Sequence, residues 1–168
     1  TVQNAATVVI PTSQSLIVNG NIVVDGNLEL NSSSNTYSSL IVNGNTFGEV
    51  TYYRHVNQLA ATGSVTGDND LIAAPVTSPS QDFLALRNAN PDLPSGTIGG
   101  VPSFLFGPFN NNSNTFINYT FADDNAPIEA GVGYRSASSQ LGGSNFVFKG
   151  NVETNASAVP INQGTGST

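Results

Sequence analysis

Residues 16–33 read in sixes: Leu-Ile-Val-Asn-Gly-Asn (16–21), Ile-Val-Val-Asp-Gly-Asn (22–27) and Leu-Glu-Leu-Asn-Ser-Ser (28–33). A polar interruption fills 34–39, and Leu-Ile-Val-Asn-Gly-Asn returns at 40–45. In the three consecutive units the first and third positions are apolar: Leu16 and Val18, Ile22 and Val24, Leu28 and Leu30. Successive strand residues point to opposite faces, so these two positions share one. The fourth and fifth positions are Asn19-Gly20, Asp25-Gly26 and Asn31-Ser32, residue types that accept the backbone of a tight corner. A three-residue strand followed by a three-residue corner, repeated, is the pattern of a β-solenoid. The return 24 residues after the first unit fits one coil of about 18 residues, from hexapeptide periods, plus a loop inserted at Ser34–Ser39.

A second reading is local. Asn-Gly and Asp-Gly between apolar runs are strong hairpin signals. A meander turning at 19–20 and 25–26 would place Leu16, Val18, Val23, Leu28 and Leu30 on one face, with Asn21 among them. The solenoid buries six apolar residues and no Asn, and is preferred on that ground. About two coils are too few to stand alone, because such repeats bury a continuous core only when several stack. An open solenoid end also presents unpaired backbone groups, a template for another strand.

Working outward from the hexads, Thr7–Ile10 is a short β-prone run ended by Pro11, with Ile10 expected at a first hexad position and Thr12 at a third. Downstream, Glu49–Val56 reads as a strand, Gly63–Asp70 as a turn-rich loop, Leu71–Val76 as an apolar run, and 77–100 as a long irregular connection with room for a helical turn at Gln81–Asn88. From 103 onward, strands recur at roughly ten-residue spacing, the sandwich signature: Ser103–Phe106, Thr115–Phe121, Gly131–Ser136, Asn145–Lys149 and Ala158–Ile161. The expected fold is all-β with almost no helix. A β-solenoid-like region (1–50) packs on a β-sandwich or jelly-roll-like region (51–168), as two domains or as one continuous domain.

Composition narrows the function. Charged residues are only 9% of the 168, the net charge is −7, and Arg54, Arg87, Arg135 and Lys149 are the whole basic complement. Nucleic-acid binding needs clustered Lys and Arg, and no cluster exists; an anionic membrane surface is excluded on the same ground. No apolar run approaches the length of a membrane-spanning helix. With no Cys, neither a disulfide scaffold nor a thiolate zinc site is available. Thr1, in a chain without Met, suggests a processed or excised chain.

The order of motifs over 52–161 is distinctive: Tyr-Tyr-Arg-His-Val (52–56), Asp-Asn-Asp-Leu-Ile-Ala-Ala-Pro-Val (68–76), Phe-Leu-Phe-Gly-Pro-Phe (104–109), Thr-Phe-Ile-Asn-Tyr-Thr (115–120), Glu-Ala-Gly-Val-Gly-Tyr-Arg (129–135) and Phe-Val-Phe-Lys-Gly-Asn-Val (146–152). With the Val-Asn-Gly-Asn hexads ahead of them, the chain resembles modules of large secreted cell-surface proteins of Bacteroidetes, the adhesin-like cargo of the type IX secretion system. The resemblance implies export and display at the cell surface. It supplies no catalytic residues, and no C-terminal sorting domain is recognisable after Ile161.

Candidate sites are few. His55 is the only His and reads as structural; no Gly-x-Ser-x-Gly elbow is present, and no catalytic residues are assigned. Asp68 with Asp70, and Asp123 with Asp124, are paired acids in turns. Ca²⁺ takes oxygen ligands from such loops, but neither pair fits an EF-hand, and solvated turns are the plainer reading. No other cofactor is implied. Tyr and Arg are enriched at interfaces, which singles out Tyr52, Tyr53, Arg54, Tyr134 and Arg135. For strand addition the candidates are Val8, Val9 and Ile10 at one end of the chain and Val159 and Ile161 at the other. The functional expectation is an extracellular structural or adhesive protein whose partners are copies of itself or neighbouring modules, assembling by strand addition. The alternative is a carbohydrate-binding module facing surface glycans.

Overall fold

The computed structural model describes residues 1–60, 69–77 and 81–154. The described residues are mostly strands, with one seven-residue helix and one 3-10 turn. In the first third lie β1 (Thr7–Ile10), β2 (Ser15–Val18), β3 (Ile22–Val23), β4 (Asn27–Leu30), β5 (Ser39–Val42), β6 (Thr46–Phe47) and β7 (Val50–Val56). Then follow β8 (Asp70–Ala73), helix α1 (Phe83–Ala89), β9 (Ser95–Ile98), β10 (Val101–Phe104), β11 (Phe106–Asn110), β12 (Thr115–Phe116), β13 (Gly133–Ser136) and β14 (Ser144–Gly150).

The hexads pair in parallel with their later counterparts. β2 lies on β5 with Leu16, Ile17 and Val18 opposite Leu40, Ile41 and Val42. β3 lies on β6, Ile22 opposite Thr46, and Val2 bridges Val24 in parallel. β4 lies between β1 and β7, so Ile10, Leu30 and Tyr52 stack in one row. A meander would instead pair neighbouring hexads antiparallel. Ile22, Val24, Leu28 and Leu30 are buried and Leu16 and Val18 half-buried, whereas Ile17 and Ile41 point outward and are exposed. The inserted loop is Asn31–Ser38, closed by a Ser32–Tyr37 bridge. One expectation is corrected: Val8 and Ile10, not Ile10 and Thr12, occupy the first and third hexad positions, because β1 registers on Leu28 and Leu30.

β7 continues the same sheet into the second half by pairing antiparallel with β14 along its whole length, giving the order β1-β4-β7-β14. Phe146 and Phe148 lie opposite Arg54 and Tyr52 and are buried. A second four-stranded sheet runs β12-β11-β13-β8, and β9 and β10 form a separate hairpin turning at Gly99-Gly100. One apolar cluster extends from Val2 and Leu28 through Val56 to Phe83, Phe106 and Phe148. The sheet and this core both cross residue 50.

The segment 77–100, expected to be irregular with room for a helical turn at Gln81–Asn88, contains α1 at that place and also β9. Asp82 caps the helix by accepting from the Ala85 N–H at 2.8 Å. Phe83 and Leu86, three residues apart, bury one face, and Phe83 meets Phe104, Phe106 and Tyr119 within 5.6 Å. Asn90, with Pro91 behind it, ends the helix. The expected strand at Thr115–Phe121 is cut short. Its Ile117 and Tyr119 N–H groups still bond to Pro108 and Phe106. Thr120 and Asp123 then cap each other reciprocally and wind the chain into a 3-10 turn at Phe121–Asp123.

Candidate docking edge

The four-stranded sheet has two outer strands, and they are treated differently. At β14 the outward backbone groups are bonded by side-chain amides. Asn90 Oδ1 accepts from the Val147 N–H at 2.7 Å, and Gln81 Oε1 accepts from the Lys149 N–H at 3.0 Å. The Val147 carbonyl accepts from Asn90 Nδ2 at 3.2 Å and from Gln81 Nε2 at 3.4 Å. Both amide side chains are buried, Gln81 before α1 and Asn90 at its end. This edge is filled.

At the other side β1 pairs only with β4 among the described residues. The Ala6 and Ile10 carbonyls accept from Asn27 and Asn31. In a parallel ladder alternate residues bond to one neighbour, so the backbone groups of Thr7 and Val9 face away from β4. Among the described residues β2 and β5 likewise pair only with each other. Val8 is 42% exposed although Leu28, the next residue in its inward row, is fully buried. Among the described residues no strand lies beyond β1 on that side. Thr7–Ile10, named from the sequence for strand addition, thus forms an edge, with Val8 and Val9 exposed and Ile10 buried beside Leu30. Val159 and Ile161 lie outside the described residues.

The corners repeat with the strands. Asn43 Nδ2 donates to Asn19 Oδ1 at 3.1 Å, the Asn45 N–H donates to Asn21 Oδ1 at 2.9 Å, and the Ser15 and Ser39 hydroxyls share a hydrogen at 2.7 Å. A side chain cannot fit where two corners meet: a Cβ on Gly44 would stand 2.7 Å from the Gly20 carbonyl oxygen, and one on Gly48 would collide with the Val24 carbonyl.

At the opposite end β5 and β6 are also paired on one side only among the described residues, and the segment after β14 reaches β6. The Thr46 hydroxyl donates to the Val152 carbonyl at 2.8 Å, and Asn151 bridges Thr77. Against this end lies a hollow of about 260 Å³ between Leu30, Leu40, Val76, Val152, Ser38 and Tyr52, with Tyr37 at its rim. Ser38 Oγ is buried without a partner, and the Tyr52 hydroxyl donates to the Ser38 carbonyl at 3.3 Å. Burial raises the Tyr52 phenol above its usual range, against the opposing pull of Arg54. Tyr37 is 60% exposed, and the Arg54 guanidinium lies 5.7 Å from its ring centre.

The other sequence candidates are dispersed. Tyr53 lies on the opposite sheet face to Tyr52, with burial first and nearby Glu29 second raising its phenol. Tyr134 is not surface: it is buried, stacks on Phe106 at 4.8 Å, and its hydroxyl accepts from the Glu129 N–H. A Tyr in a β-strand alternates with its neighbours, and Tyr134 falls on the inward phase. Arg135 is half-buried, donates to Asn118 Oδ1 at 2.7 Å, and lies 5.0 Å from the Phe116 ring centre. Asp70 accepts from the Asn57 backbone and side chain; Asp68 lies outside the described residues. Asp123 caps Thr120, and Asp124 binds Arg87 through both oxygens at 2.8 and 2.9 Å. The Arg87 hydrogen bond holds the Asp124 carboxyl below its usual range. These carboxylates are committed to the protein's own donors. Among the described residues no three His, Cys, Asp or Glu side chains group as metal ligands. Gln81 and Asn90, which fill the β14 edge, were not singled out by the sequence; neither forms a motif, and only the tertiary placement of α1 gives them their role.

Comparison with protein-family models, curated proteins and solved structures finds no match to this chain. Among the described residues no helix is long and apolar enough to cross a membrane.

Proposed function

We propose that this chain is an extracellular structural module of an adhesin-like surface protein, completed by β-strand addition at β1. The stacked parallel strands are a short β-solenoid, and the second half packs on it through one apolar cluster, its sheets arranged in the manner of a sandwich. The observation that carries the reading is the contrast between the two sheet edges. Buried amides occupy the backbone of Val147 and Lys149, while among the described residues β1 has no partner on its outer side and its Val8 and Val9 are exposed. Exposed edges invite pairing and are usually blunted; here only one edge is blunted. The added strand comes from another copy or a neighbouring module. Its main chain supplies affinity, and its alternate side chains supply register. The low charge and the resemblance to secreted surface modules support the location.

The test is sedimentation and electron microscopy of the purified chain over a range of concentrations. The native chain associates, and Val9→Pro, which removes an outward N–H without touching the β4 ladder, does not. Monodisperse monomers at every concentration defeat self-assembly through β1.

A second reading, a glycan-binding module, is favoured by the exposed Tyr37 ring beside the hollow that Ser38 and Tyr52 line. Rings of this kind stack on sugars, and the two hydroxyls would orient one. Binding on a glycan array that Tyr37→Ala abolishes supports it; silence across the array removes it.

A further inference from the structure

We infer that the end of the stack left bare among the described residues docks one particular partner: a further parallel β-coil of the same hexad chemistry, its Asn-Gly corner stacked on Asn19–Asn21. The inference rests on the reading of β1 as an acceptor edge and names what is accepted.

Three observations point to a coil rather than a single strand. The first is Gly20. Gly44 must be glycine because the carbonyl of Gly20 occupies the place of its side chain, 2.7 Å away. Gly20 holds the equivalent position one coil earlier, in an identical hexad and in register. Yet a Cβ on Gly20 would meet nothing within 4 Å, and its φ is not positive. Neither space nor backbone among the described residues requires a glycine there. The carbonyl of another Asn-Gly corner, stacked as Gly20 stacks on Gly44, would require it.

The second is the polar ladder. Each rung of coil two donates to coil one: Asn43 Nδ2 to Asn19 Oδ1, and Asn45 N–H to Asn21 Oδ1. The corresponding donors of coil one, Asn19 Nδ2 and the Asn21 N–H, have no acceptor among the described residues. They match the Asn oxygens of a preceding corner. The third is the apolar row. Val8 occupies a first hexad position and is 42% exposed above the buried Leu28, so an inward residue of another coil would complete the row.

Val2 already stands in the third ladder, over Val24, with its N–H donated to the Val23 carbonyl, so the added coil would sit on β1, β2 and Val2 together.

The experiment is a tandem duplication of residues 3–24 within the full chain. It adds one coil in phase, since residue 24 stacks on residue 2. The melting temperature should rise by about 5 °C, using the few degrees per kcal/mol of a domain this size. Amide exchange at the inner Thr7 and Val9 should slow at least about tenfold, as edge amides become ladder amides. Gly20→Ala should be neutral in the native chain but cancel the gain when placed in the inner copy. An added coil that stays protease-sensitive, a duplicated chain that does not fold, or a Gly20→Ala as damaging in the native chain as Gly44→Ala overturns the inference. None of these results depends on adhesion or self-association. Failure of the surface-assembly reading would therefore leave them standing, and their failure would leave that reading open to a single-strand donor.

Discussion

Asn90 hydrogen-bonds both backbone groups of Val147: its Oδ1 accepts from the N–H at 2.7 Å and its Nδ2 donates to the carbonyl at 3.2 Å. A side chain thereby replaces a neighbouring strand. The same Nδ2 also donates to the Leu86 carbonyl at 2.7 Å, so one buried amide ties the end of α1 to the sheet edge. Asn90→Ala removes all three bonds and leaves the Val147 N–H without its partner, while the Val147 carbonyl keeps only the longer bond from Gln81 Nε2 at 3.4 Å. A buried polar group without a partner costs about 1–3 kcal/mol, so the expected destabilisation is about 2–4 kcal/mol. Urea unfolding checks the magnitude. Sedimentation checks a second consequence: with β14 unplugged, the variant should associate more readily than the native chain.

Arg87 and Asp124 form a two-pronged pair that sits against aromatic rings, the guanidinium 5.0 Å from Phe121 and 5.6 Å from Phe104. It pins the 3-10 turn to α1. The Arg87 hydrogen bond lowers the folded-state pKa of Asp124. A lowered carboxylate pKa contributes stability above the unfolded value, and that contribution disappears as pH falls through the folded one. Stability should therefore be flat near neutrality and decline below pH about 4, the usual Asp range. Asp124→Asn should lower stability at neutral pH and flatten the acid slope. Denaturant midpoints measured for both proteins at neutral and acid pH provide the check; parallel curves would count against the pair.

Gly48 has a φ of +90°, and the space its Cβ would fill belongs to the Val24 carbonyl. Gly96, in the exposed β9–β10 hairpin, has open space beside it. Gly48→Ala should cost about 3 kcal/mol or more, combining left-handed strain with a forced shift of the stack. Gly96→Ala should stay within about 1 kcal/mol. Thermal melts of the two variants test whether tight corner stacking, rather than glycine content, stabilises the first third of the molecule.

The inward residues of the first third were legible because the period is short and local. Leu16, Val18, Ile22, Val24, Leu28 and Leu30 repeat at fixed positions, and the identical hexads at 16 and 40 fall in register. The phase of β1 was not legible, since Thr7–Ile10 lacks an Asn-Gly corner and its register comes from Leu28 and Leu30. Farther along, alternation in Phe146 and Phe148 gave their common face, and the helical turn expected at Gln81–Asn88 is α1, although its packing was not legible in a Pro-rich stretch. Its seven residues are too few for a clear helical period, and Phe83 is held by rings from β10, β11 and the segment after β12. Tyr134 looked like a contact residue because Tyr-Arg pairs favour interfaces. Strand phase buried it instead. The edge contrast was beyond sequence reasoning, because Gln81 and Asn90 reach β14 from 66 and 57 residues away.

Tyr119 gives an alkaline signature of the core around Phe83. Its ring lies 5.0 Å from Phe83 and 5.9 Å from Phe106. Burial, reinforced by Tyr134, Asp123 and Glu129, pushes its phenol up to about 12. The neutral phenol is thus favoured by folding. A group whose pKa is raised in the folded state contributes its full stability below the unfolded pKa of about 10 and loses it as pH rises through the folded value. Stability should therefore fall between pH about 10 and about 12, and phenolate absorbance should include a late component. Tyr134, Tyr52 and Tyr53 are raised as well, chiefly by burial, so the late component is shared. Tyr119→Phe keeps the ring contacts, removes one ionisation from that late component, and should make the alkaline decline shallower. If instead all tyrosines of the folded protein ionise together near pH 10, the packing of Tyr119 between Phe83 and Phe106 does not persist in solution.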